Sequence, residues 1–253
     1  MRVTLNGFVS SDDDKRFFDF FGVSAFSPRL VRDAILKTPK GEELVLEINS
    51  GGGSVFAGFE IYSVLRSCGL QTRAEVQSLA ASAASVLMLG CRTVMLSPVA
   101  QVMIHLPSTV TDGDERAHRE SIRVLRSIKE SILNAYQVET GRDRQLLESI
   151  MSRSTWMSAQ DALGAGLADG ILYVEGDSPL QPPGAATDAH DDSGHTLWRG
   201  TEDVTTEALR ARYARLVAAG QAPPLPEPQP AGGAGLDWRA AARLRLAKAK
   251  ILT

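Results

Sequence analysis

The sequence predicts an α/β domain over residues 1–175, a linker over 176–202 and an extension over 203–253. Two observations carry this division. Short apolar runs alternate with longer amphipathic segments up to about residue 175, the pattern of strands and helices packed in layers. Composition then shifts abruptly to Pro, Gly, Asp and Ser, which favour a linker over a packed element. A chain of 253 residues can also bury a substantial core without disulfides or metals.

The elements follow in order. Val3 to Val9 reads as a strand. Ser27-Pro28 places a capping residue before a proline at the first helical position and opens a helix through Leu36. Leu44 to Ile48 is a strand running into the turn Asn49-Ser50-Gly51-Gly52-Gly53-Ser54, and Phe56 to Cys68 has helical periodicity. The small-residue run Leu79 to Ser85 opens a helix from Val86 to Leu89. Val94 to Leu96 and Gln101 to Leu106 read as strands separated by Pro98. A long helix follows Asp112-Gly113-Asp114 and ends near Gly141, with Ile122, Leu125, Ile128, Ile132, Leu133 and Tyr136 along one stripe. Arg144 to Met151 is a short helix, and Ser158 to Asp161 fits a capping box. Beyond the linker, Thr205 to Ala219 reads as a helix. Pro223 to Gly235 reads as a second linker, and Leu236 to Ile251 as a basic helix.

Charge and cysteine content exclude several functions. With 27 Lys+Arg against 30 Asp+Glu, the net charge of −3 carries no general footprint for nucleic acid or an anionic membrane. Cys68 and Cys91 are the two cysteines, and neither sits in a paired ligand motif, so no metal centre is expected. The N-terminus lacks the apolar stretch of a signal peptide, and the most membrane-like segment, Val76 to Cys91, is interrupted by polar residues and too short to span. A cytoplasmic protein is the expectation.

Four histidines are available. His190 and His195 fall in the linker, and His118 lies on the polar side of the long helix. His105 ends an apolar strand where a loop begins, a place where functional side chains often sit, although alone it reads as a core histidine. Ser82 stands among alanines at a helix start, where a substrate carbonyl can approach and backbone N–H groups can meet a developing oxyanion. Ser82 and Ser85 also suit capping or close packing. Gly51-Gly52-Gly53 lacks the spacing of a phosphate loop. It suits either a plain turn or close backbone approach to an extended peptide.

Taken together, Ile48 to Val55, Ala57-Gly58, Ile61-Tyr62, Leu79 to Ala83, Val102 to Pro107 and Trp156 to Ala159 resemble, in order, the motifs of the Clp protease proteolytic subunit family. The resemblance spans roughly Leu44 to Leu172. It implies a crotonase-like α/β spiral with a protruding long helix, assembled as homo-oligomeric rings. It also implies a serine endopeptidase with Ser82 as nucleophile, His105 as general base, and the N–H groups of Gly53 and Ala83 as the oxyanion hole. Gly51 and Gly52 would contact substrate, and no cofactor is needed.

The third catalytic position departs from the family. Its aspartate matches Ser154, whose hydroxyl can orient an imidazole but cannot stabilise an imidazolium as a carboxylate does. Asp161 reads as a cap and Asp169 as part of a turn. This leaves a triad using Ser154, a slow dyad or a weakened enzyme.

The extension makes the chain more like Clp-related head maturation proteases of tailed phages and prophages, acting on scaffold or capsid protein. The alternatives are a degradative peptidase fed by a separate AAA+ unfoldase, an acyl-CoA enzyme of the crotonase fold, and a scaffold-binding relative without catalysis. The basic helix reads either as a solvated surface or as a docking segment.

Overall fold

The computed structural model describes residues 1–173, 205–223 and 225. The first linker, most of the second, the basic helix, His190 and His195 lie outside the described residues. The described chain runs β1 (Arg2–Val9), α1 (Lys15–Phe20), β2 (Ala25–Phe26), α2 (Pro28–Lys37), β3 (Glu43–Gly53), α3 (Val55–Ser67), β4 (Gln71–Ala81) and α4 (Ala83–Met88). It continues through β5 (Thr93–Leu96), β6 (Gln101–Ile104), α5 (Glu115–Thr140), α6 (Arg144–Ser152), β7 (Thr155–Ser158), α7 (Ala159–Gly164), β8 (Gly170–Ile171) and α8 (Thr206–Ala218).

The strands form one mixed sheet, ordered β2-β1-β3-β4-β5-β8, with β6 also on β4 and β7 on β6. Every pairing is parallel except β6 with β7. The long strand β4 divides one edge between two partners. Its residues Arg73 to Val76 pair with β5, and Leu79 to Ala81 pair with β6. That division brings the end of β4 beside the end of β6.

β4 was not expected, because Arg73, Glu75 and Gln77 interrupt its apolar residues. Glu75 is nevertheless buried. Arg2 of β1 and Arg73 reach its carboxylate at 2.9 and 3.4 Å, so the charges are matched across neighbouring strands. The small-residue run likewise divides differently from the expectation. Leu79 to Ala81 complete β4, and the helix begins at Ala83. Small side chains there permit close packing, since a methyl group at Gly58 of α3 would lie 3.1 Å from the Ala83 carbonyl oxygen.

The glycine run is also strand, not turn. After a bulge, Gly52 and Gly53 continue β3 in register with Phe8 and Val9 of β1. At α2, Ser27 precedes Pro28 as expected but makes no cap bond. Its hydroxyl bonds Asp12 instead, and Asp12 accepts the Arg29 N–H at 3.0 Å.

α5 begins at Asp114, which accepts the Ala117 N–H, and stops at left-handed Gly141. Its stripe grades along the helix: Ile132, Leu133 and Tyr136 enter the core, Leu125 and Ile128 are half-buried, and Ile122 remains exposed. Ser158 and Asp161 form the expected capping box of α7. α8 seats on α1 through Tyr213, which meets the Phe17 and Phe20 rings edge-on, and through an Arg210–Asp14 ion pair. No helix among the described residues is long and apolar enough to cross a membrane. The apolar residues of Val76 to Cys91 are core, distributed over β4, α4 and the turn that follows it.

Candidate active site

The site lies where β4 and β6 end side by side. Ser82 links β4 to α4 in a backbone conformation that L-residues rarely adopt, with φ 55° and ψ −124°. Such a conformation costs about 1–3 kcal/mol and persists only where its surroundings hold it. Here the Ser82 N–H donates to Met103 of β6 at 2.9 Å. The Ser82 carbonyl accepts from both the backbone N–H and the hydroxyl of Ser85, at 3.0 and 2.6 Å. Gly52 closes the opposite side: a methyl group there would lie 2.6 Å from Ser82 Cβ and 2.7 Å from the Ala81 oxygen.

His105 directly follows β6. Its Nε2 lies 2.7 Å from Ser82 Oγ. Burial pushes the imidazole pKa below its ordinary value, so the ring is neutral at neutral pH and able to accept the serine proton. With the ring proton on Nδ1, the Ser82 hydroxyl donates to Nε2. His118, by contrast, is exposed on α5.

The antiparallel ladder of β6 and β7 ends with Ile104 opposite Thr155, and His105 and Ser154 are the next residues along the two chains. Ser154 is exposed, at φ 52°, and its N–H donates to Met151. Among the described residues, no hydrogen bond joins its hydroxyl to His105. Asp161 is committed to the cap of α7, and Asp169 accepts the Val94 N–H at 2.7 Å. Neither bonds His105.

The three glycines differ. Gly52 donates its N–H to Ser50 Oγ at 3.1 Å, and Ser50 donates in turn to the Gly7 carbonyl at 2.6 Å. Gly53, at φ 143°, lies against Val9, where a methyl group would meet the carbonyl oxygen at 2.3 Å. Gly51 has open space around it. Ala83 is the first residue of α4, and an N–H at that position has no partner within its own helix.

Sequence reasoning passed over Ser50, gave Ser85 a capping or packing role and placed Tyr136 on the apolar stripe of α5. Ser85 Oγ lies 2.8 Å from Tyr136 OH, both groups buried. The legible signal was a serine three residues beyond the candidate nucleophile, placed to reach back to its carbonyl.

A parallel-sheet α/β framework that holds a serine hydroxyl against a neutral imidazole has the geometry of a serine hydrolase. A family model described as Clp protease matches residues 34–175, and the chain belongs to that family of serine peptidases. It is 37% identical over 143 residues to the ATP-dependent Clp protease proteolytic subunit 1 of Chlamydia muridarum, covering 54% of this chain and 73% of the relative. The subunit of the same description from Chlamydia abortus is 37% identical over 147 residues, with the same coverage. The ATP-dependent Clp protease proteolytic subunit of Porphyromonas gingivalis is 31% identical over 136 residues, covering 52% of this chain and 60% of the relative.

Proposed function

We propose that the chain is a serine endopeptidase that uses Ser82 as nucleophile and His105 as general base. The 2.7 Å approach of His105 Nε2 to Ser82 Oγ is the observation that carries this reading. As Oγ attacks a peptide carbonyl, Nε2 takes the hydroxyl proton and later gives it to the leaving amine. Water then repeats the sequence on the acyl-enzyme. The Gly53 and Ala83 N–H groups receive the tetrahedral oxyanion, a stabilisation of roughly 3 kcal/mol per donor. Gly51 and Gly52 border the path of an extended substrate, and Ser154 takes the orienting position beside His105.

The test is fluorophosphonate labelling of wild type, Ser82→Ala and His105→Ala, with the modified peptide located by mass spectrometry. Label confined to Ser82 and lost without His105 is the expected result. A folded wild type that takes no label, or takes it elsewhere, overturns the assignment.

The finer reading is a head maturation protease that cuts scaffold or capsid protein without ATP, as homo-oligomeric rings in a host cytoplasm. The extension beyond the family match supports it: α8 lies outside residues 34–175. Clp-type degradation behind a separate AAA+ unfoldase is the second reading, favoured by the names of the relatives. Cleavage of purified scaffold protein in the absence of nucleotide supports the first. Hydrolysis only of an unfoldase-fed protein, with ATP, supports the second.

A further inference from the structure

We infer that Tyr136 of α5 and Ser85 of α4 are positioning residues for the nucleophile, acting as a two-hydroxyl relay that holds the strained Ser82 turn through its carbonyl. The inference rests on Ser82 being the nucleophile. The direction of the relay follows from the donors available. Ser85 has one hydroxyl proton, and its Oγ lies 2.6 Å from the Ser82 carbonyl oxygen, which can only accept. The proton shared across the 2.8 Å contact between Ser85 Oγ and Tyr136 OH therefore comes from Tyr136. Ser85 then donates one bond and accepts one, and its rotamer is fixed at both ends.

Burial makes the relay dependable. Ser85 is 0% and Tyr136 1% exposed, so no solvent competes for either hydroxyl. The recipient is the residue whose φ of 55° needs external support and whose Oγ must stay in line with His105. The other two restraints come from the sheet, through Met103 and Gly52. Ser85 and Tyr136 supply the restraint on the helical side. Tyr136 also lies at the end of α5 that enters the core, so the long helix reaches the nucleophile turn through this hydroxyl and Ser85.

The experiment uses the full chain and measures the second-order rate of fluorophosphonate labelling at Ser82, well below the unfolding temperature. The variants are Tyr136→Phe, Ser85→Ala and the double substitution. Tyr136→Phe keeps the ring and removes the hydroxyl alone. The expected result is a 3- to 10-fold slower rate for each single variant, with the double variant no slower than Ser85→Ala. That non-additivity separates a relay from two unrelated losses of stability.

A wild-type rate for Tyr136→Phe overturns the inference, as do effects that multiply in the double variant. If Tyr136→Phe does not fold, a wild-type rate for Ser85→Ala overturns it equally. A wild-type chain that takes no label at Ser82 overturns the peptidase reading and this inference with it, an outcome distinct from the others.

Discussion

Replacing Ser154 with Asp should make the enzyme faster and shift its pH dependence upward. The expectation rests on the proposed orienting role of Ser154: it and His105 are the residues next beyond the last β6–β7 pair, Ile104 with Thr155, and opposed residues of an antiparallel pair lie about 4.5–5.5 Å apart at Cα. The Ser154 φ of 52° is one that aspartate tolerates better than most residues, so the backbone accepts the change. A carboxylate about 4 Å from an imidazolium gains roughly 4 kcal/mol at an effective dielectric of 20. Because Ser154 is exposed, solvent screening reduces this to about 1–2 kcal/mol. The imidazolium forms in the transition state, so the same energy should raise the plateau rate about 5- to 30-fold.

It should also move the midpoint of the pH–rate profile up by about one pH unit, since a favoured cation holds its proton to higher pH. The assay is the labelling rate at Ser82 from pH 5 to 9 in the wild type and in Ser154→Asp. A folded variant with an unchanged or lower plateau and an unmoved midpoint would refute the placement of Ser154 at the orienting position.

Three further outcomes are expected. In the wild type, the labelling rate should rise with pH through a midpoint below 6.5, the ordinary value for histidine, because burial disfavours the protonated ring; a midpoint above 6.5 contradicts that environment. Gly52→Ala should cost about 2–4 kcal/mol, combining the positive φ with overpacking against Ser82, and calorimetry should show a lower Tm together with loss of labelling. Gly51→Ala, with open space and no positive φ, should leave Tm nearly unchanged, and equal losses at the two positions would refute the account of the contact. Tyr213→Ala should release α8 from α1, raising amide exchange across residues 206–218 at least 10-fold while the Ser82 labelling rate is retained; unchanged exchange would show that the ring contacts do not hold α8.

Much of the site was legible because its motifs are local. Ser82 and His105 each stand in a short run that can be read without knowing the fold. Their 2.7 Å approach could not be read, because it depends on β4 sharing one edge between β5 and β6. β4 itself was hidden by Arg73 and Glu75, whose charges make sense only once Arg2 and Glu43 arrive from neighbouring strands. The glycine run was misread for a related reason. Gly52 and Gly53 look like a flexible turn in isolation, whereas the contacts with Ser82 and Val9 that exclude a side chain are distant in sequence. The α7 capping box and the Gly141 stop of α5 were legible because both are satisfied within a few residues.

Ser82, His105 and Ser154 stand at or just beyond the ends of three adjacent strands, β4, β6 and β7, and their structural obligations differ. Ser82 is locked by its neighbours on every side, whereas Ser154 is exposed and past the last rung of its ladder. On the proposed assignment, a substitution at Ser154 that suits its φ of 52° changes catalytic strength without disturbing the turn that holds Ser82. On that assignment a slower or a faster peptidase is one substitution away, with the scaffold and the Ser82 turn left intact.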